Sequence, residues 1–119
     1  MRAKTIYKIC DAAAWQAAER AGEFAGAPVD RTDGYIHFSA ADQVAETAAK
    51  HFAGQRDLVL VAVDADGLGP ALKWEPSRGG ALFPHLYGTL PLTAVRLTKP
   101  LPLGPDGRHV FPSLEQEER

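Results

Sequence analysis

The chain carries a single cysteine and a single methionine in 119 residues, so no internal disulfide can staple it and no multi-cysteine zinc site can organise it. An excess of one charge is also missing. Thirteen basic residues face fifteen acidic ones for a formal charge of -2, which gives no bulk positive field to attract a polynucleotide or an anionic membrane. No apolar run approaches the roughly 18 residues of a membrane span, and Met1 to Tyr7 leads straight into strand-like sequence instead of an export signal. With a lone thiol, these features point to a cytoplasmic protein. Repeats and low-complexity segments are absent as well. What remains is a chain that is 45% apolar, enough for one domain over residues 1–114 with a frayed tail at 115–119. A domain of this size buries roughly two-thirds of its unfolded surface.

Thr5 to Cys10 mixes β-branched and aromatic residues and predicts a strand. Asp11 is placed to cap a helix over residues 12–21, with Trp15 and Ala18 on its apolar side and Gly22 at its end. Gly26 to Gly34 reads as a loop closed by an Asp-Gly turn. Tyr35-Ile36-His37-Phe38 alternates, setting Tyr35 and His37 on one sheet face. Ser39 to Asp42 has the form of a capping box and predicts a second helix, with Val44, Ala48 and Phe52 inward and Gly54 at the close. The aliphatic run from Asp57 to Asp64 predicts a central strand covered on both faces.

Leu72 to Glu75 predicts a short strand stopped by Pro76, with Leu72 and Trp74 on one face and Lys73 and Glu75 on the other. A flexible Ser77-Arg78-Gly79-Gly80 loop follows, and then Phe83, His85 and Tyr87 share a face if their segment is extended. Residues 94–98 and 109–111 read as further strands, around a Pro105-Asp106-Gly107 turn. A helix-strand-helix half followed by a strand-rich half gives an α+β expectation.

Chemically capable side chains gather in two stretches, Asp33 to Ser39 and Lys73 to Tyr87, punctuated by glycines that let a ligand approach the backbone. His37 is suited to holding a sugar hydroxyl or moving a proton, its structural alternative being a histidine bonded between strand and helix. Ser39 reads first as a helix cap, whose neighbouring amides attract phosphate. Trp74, Glu75 and Arg78 set an aromatic face, a carboxylate and a guanidinium beside Gly79-Gly80, parts that suit a nucleotide. An internal Glu75–Arg78 ion pair and a core Trp74 are the alternatives. His85 and Tyr87 would project together, with Tyr87 able to stack on a base or nicotinamide ring. The four histidines show neither His-x-His nor His-x-x-x-His spacing, so metal is set aside. His51 falls in the last turn of the second predicted helix and His109 carries no signal.

At Asp33-Gly34-Tyr35-Ile36-His37-Phe38-Ser39, His51-Phe52-Ala53-Gly54, Leu72 to Gly80 and Phe83 to Gly88, the chain resembles a bacterial family of unknown function, numbered 952. The resemblance covers nearly the whole chain. That family has no established activity and is grouped by fold with the ADP-ribosyltransferases, which implies a single domain with a split, bent β-sheet, two helices and a nicotinamide-nucleotide cleft. By the same resemblance, Tyr35 to Ser39 is similar to the histidine-containing first motif of histidine-type transferases and RNA 2′-phosphotransferases. His37 would then hold a ribose hydroxyl, Tyr87 would stack, Arg78 would meet phosphate and Glu75 would serve as base or orienting group. In those transferases a glutamate follows the stacking tyrosine, whereas here Glu75 precedes Tyr87 and none follows until Glu115. The expected ligand is a small NAD- or ADP-ribose-like nucleotide, with neither nucleic acid nor membrane as partner, bound by an enzyme or by a non-catalytic sensor on the same fold.

Overall fold

The computed structural model describes residues 4–114 and, at Arg78, the backbone alone; the tail expected at 115–119 lies outside the described residues. Strand β1 (Thr5–Asp11) runs into helix α1 (Ala12–Ala21), where the Asp11 carboxylate accepts from the amides of Ala13 and Ala14 at 3.1 and 3.4 Å. Gly22, left-handed at φ 87°, closes α1 and donates its N–H to the Ala18 carbonyl. Substituting Asp11→Ala removes the acceptor for those amides and is expected to cost about 1 kcal/mol in urea unfolding; an unchanged midpoint would show that the cap is dispensable.

After β2 (Glu23–Phe24) the structure departs from the sequence expectation. The predicted loop contains a six-residue helix, α2 (Pro28–Asp33), with Pro28 in its first turn, where a missing N–H leaves nothing unpaired. The Asp30 carboxylate reaches back to the Ala27 amide at 2.8 Å and starts the turn. The single strand expected at 35–38 is two short ones, β3 (Ile36–His37) and β4 (Ser39–Ala40). Ser39 therefore belongs to a strand and does not cap a helix. Helix α3 (Val44–His51) begins five residues later, after Gln43 accepts the Ala40 amide at 2.9 Å. With α2 counted, the chain has three α-helices among the described residues, one more than expected.

The second half supplies β5 (Leu58–Asp64), β6 (Leu72–Pro76), β7 (Leu82–Leu86), β8 (Leu90–Pro91) and β9 (Val95–Pro100). Short 3-10 turns precede β6, β7 and β9. The strand expected at 109–111 is only a bridge between Leu103 and His109, since Pro102, Pro105 and Pro112 deprive that stretch of ladder donors.

All strand pairs are antiparallel, in sheets ordered β4-β1-β5-β9, β3-β7-β6 and β2-β8. The fold is α+β, as expected. The aliphatic run does form the spine: β5 lies between β1 and β9, and both faces of the large sheet are covered. On one face Ile6, Cys10, Val61 and Val63 share a core with Trp15, Phe24, Ile36, Phe38 and Leu86. On the other, Tyr7, Ile9, Leu60 and Ala62 meet Val44 and Ala48 of α3 together with Leu101.

The geometry that matters for function arises at Phe38. His37 pairs with His85 in the three-stranded sheet, whereas Ser39, two residues on, pairs with Tyr7 in the four-stranded one. The chain changes sheets there, leaving His37 and Ser39 at the seam. Because β4 pairs only with Ile6 and Tyr7, no strand among the described residues pairs with that edge of β1 from Lys8 onward.

Candidate functional site

That edge of β1 forms one wall of a cleft of about 510 Å³, whose other lining includes Asp33, Tyr35, His37, Ser39, Thr47, His51, Phe83 and His85. Its base is a charged cluster built into the interior. Lys8, in the middle of an apolar strand, is buried; its ammonium donates to Asp30 Oδ1 at 3.0 Å and lies 2.9 Å from Oδ2 as an ion pair. The Asp30 side chain is 1% exposed and is held by further donors: the Ala27 amide, the His37 amide at 3.1 Å, and His37 Nδ1 at 2.6 Å. Burial alone would raise the Asp30 carboxyl; the His37 hydrogen bond, the Lys8 charge and the Ala27 amide together outweigh it and hold it down at about 2.

His37 thus has its ring plane fixed from behind. Its Nε2 lies 2.9 Å from a second carboxylate, that of Asp33, so the ring sits between two acidic side chains. Across the ladder, His85 is buried, and its Nδ1 lies 2.8 Å from Glu75 Oε1, the same oxygen that accepts from the Tyr87 hydroxyl at 2.8 Å. Those two hydrogen bonds, from His85 first and Tyr87 second, hold the Glu75 carboxyl below its usual range, while the bond to Glu75 keeps the Tyr87 phenol protonated to higher pH.

Tyr35 ties the two histidine-carboxylate pairs together. Its ring stacks on His85 at 4.2 Å and lies 4.7 Å from His37 and 5.2 Å from Tyr87. Burial, then the nearby Asp33 and Glu75 charges, raise its phenol above the ordinary value. Below the rings, the hydroxyls of Ser39 and Thr47 are bonded at 2.9 Å. The cleft therefore offers aromatic faces, a hydroxyl pair and two oriented imidazoles. Among the described residues no group of three or more His, Cys, Asp or Glu is placed to hold a metal ion, and no helix is long and apolar enough to cross a membrane.

Comparison with known proteins gives the chain's family. The pattern of the family described as "Protein of unknown function (DUF952)" matches residues 9–98. The chain belongs to the DUF952 family. The X-ray structure of protein CC0527 from Caulobacter crescentus is similar at 53% identity and a TM-score of 0.86, covering 89% of this chain and 93% of that one. The solution NMR structure of CC0527 gives 54% identity and a TM-score of 0.79, over 87% and 90% of the two chains. No curated protein matches the chain.

Within this DUF952 chain, the structure brings His37, Ser39 and His85 into the lining of the cleft beside Tyr35, while Glu75 and Tyr87 lie outside that lining and join it through the Glu75–His85 bond and the Tyr35–Tyr87 ring contact. It does not bring Trp74 there. Trp74 lies on the other side of β6 from Glu75, packed against the core with the Lys4 ammonium 4.4 Å from its ring centre. Arg78 opens the turn between β6 and β7, and its side chain lies outside the described residues. The site residues that sequence reasoning passed over are Lys8, Asp30, Asp33, Tyr35, Thr47 and His51. A signal existed for Tyr35, which the alternation already put on the face of His37. Lys8 offered a weaker one, as a lone charge inside an apolar strand. Cys10 is buried among the core residues, and burial pushes its thiol up to about 11, which makes it inert.

Proposed function

We propose that the cleft binds an NAD- or ADP-ribose-like nucleotide, with Tyr35 and Tyr87 facing the planar ring and His37, Ser39 and Thr47 meeting the ribose-phosphate. The observation that carries this reading is the convergence of three aromatic partners on Tyr35 beside a hydroxyl pair and a rigidly held imidazole. The volume suits a small-molecule site, and polar groups that converge on an apolar wall are what such sites use for orientation. The split arrangement of a four-stranded and a three-stranded sheet supports an ADP-ribosyltransferase-like fold, with the cleft at the seam between them. In chain order Glu75 precedes the stacking tyrosine, yet in space its carboxylate is bonded to the Tyr87 hydroxyl, which supports Glu75 as the acidic group of the site.

A second reading, binding without bond cleavage, is favoured by one feature. A single oxygen of Glu75 already accepts from both His85 and Tyr87, so its charge is committed to ordering the site. Calorimetric titration with NAD and ADP-ribose tests both readings. The expected result is saturable binding, weakened about tenfold or more in His37→Ala and Tyr35→Ala, the order of one lost charge-assisted contact or stacking surface. No binding of either nucleotide to the wild type rejects the proposal. Release of nicotinamide that disappears in Glu75→Gln establishes cleavage, and binding without release establishes the sensor.

A further inference from the structure

The two carboxylates on His37 are not equivalent. Asp30 is 1% exposed, carries Lys8 on both oxygens and fixes both the amide and Nδ1 of His37. Asp33 is the last residue of α2, its side chain is 40% exposed, and its carboxylate lies 2.9 Å from His37 Nε2 as an ion-pair neighbour. The first carboxylate is part of the interior; the second sits on a surface side chain, four residues before the histidine, and can swing away at little cost, since exposed ion pairs of this kind contribute about 0–1 kcal/mol. Both Asp33 and His37 line the cleft.

Resting on the nucleotide reading above, we infer that Asp33 is a built-in stand-in for the ligand: its carboxylate occupies His37 Nε2, and an anionic phosphate oxygen replaces it on binding. Asp30 keeps the ring oriented so that Nε2 is the atom presented to the cleft. With Nδ1 already donating to a carboxylate, an Nε2–H donor meets any anionic oxygen of matching size with a charge-assisted bond. A free carboxylate at that point competes with such an oxygen and repels it, so Asp33 sets a threshold that a phosphate must exceed and that an uncharged nucleoside has no means of exceeding. This assigns phosphate to His37, where the family resemblance implies a ribose hydroxyl.

The test is Asp33→Ala, a change at an exposed helix end, with binding of ADP-ribose, inorganic phosphate and adenosine measured by calorimetry. The expected result is about two- to fivefold tighter binding of ADP-ribose and of phosphate, with adenosine unchanged. Unchanged or weaker binding of both anions by the variant overturns the inference, as does an equal gain for adenosine. A gain for phosphate but not for ADP-ribose locates an anion site without a nucleotide and sinks the nucleotide reading alone. A ligand-free measurement separates the two claims further. Carbethoxylation of His37 by diethyl pyrocarbonate, read by mass spectrometry against His109, is expected to rise about two- to fivefold when Asp33 is removed. An unchanged rate shows that Nε2 was never covered and overturns the inference whatever the nucleotides do.

Discussion

Substituting Asp30→Asn is expected to lower folding stability by about 3–5 kcal/mol in equilibrium urea unfolding, the range for a buried ion pair that loses one partner. The loss follows from what surrounds the carboxylate. Four donor groups converge on its two oxygens: the Lys8 ammonium, the Ala27 amide, and the amide and Nδ1 of His37. An asparagine keeps one acceptor oxygen and turns the other into a donor, which then faces N–H groups. The buried Lys8 ammonium is left with no anion, a cost that the remaining dipoles do not cover. Because α2, β1 and β3 meet at this carboxylate, the damage reaches both the first core and the seam that positions His37. A loss below about 1 kcal/mol would mean that Lys8 finds water in the folded chain and that the cluster is peripheral.

The same carboxylate makes stability depend on pH, and the sign is fixed by its direction of shift. The folded state holds Asp30 at about 2 against an ordinary value of 3.8, so the unfolded chain takes up its proton first as the solution is acidified. Its contribution is complete above pH 4 and disappears as the pH falls through 2, amounting to about 2 kcal/mol on the 1.36 kcal/mol per unit scale. Urea unfolding of the wild type and Asp30→Asn at pH 6 and again at pH 2 checks this. The gap between them is expected to shrink by that amount; a gap that stays constant would show that another carboxyl carries the acid sensitivity.

The parts of this fold that were legible in the sequence are those whose cause is local. Asp11 and Gly22 bracket α1 with a cap and a left-handed stop, and the aliphatic run of β5 has no comfortable place except between two other strands. The alternation in Leu72 to Glu75 placed Trp74 and Glu75 on opposite faces, as found. What was not legible depends on distant partners. Six residues that begin at a proline do not make a stable helix by themselves; α2 persists because Asp30 is anchored by a lysine 22 positions earlier and a histidine seven positions later. An aspartate in a glycine-rich stretch otherwise reads as a solvated loop residue. The switch of sheets at Phe38 leaves no trace in the pattern either, since the alternation continues unbroken while the hydrogen-bonding partner changes from β7 to β1. Ser39 shows the same limit. Its capping signature is sound locally, but pairing with Tyr7 and a bond to the Thr47 hydroxyl draw it into a strand.

The central claim is that the seam between the two sheets is a nucleotide site, and amide chemical-shift mapping with ADP-ribose tests it most directly. Saturable shifts are expected, concentrated on residues 35–39 and 83–87 and at Lys8, with β9 and α1 silent. Shifts that fail to saturate, or that gather on β9 or α1 while residues 35–39 stay still, would contradict it.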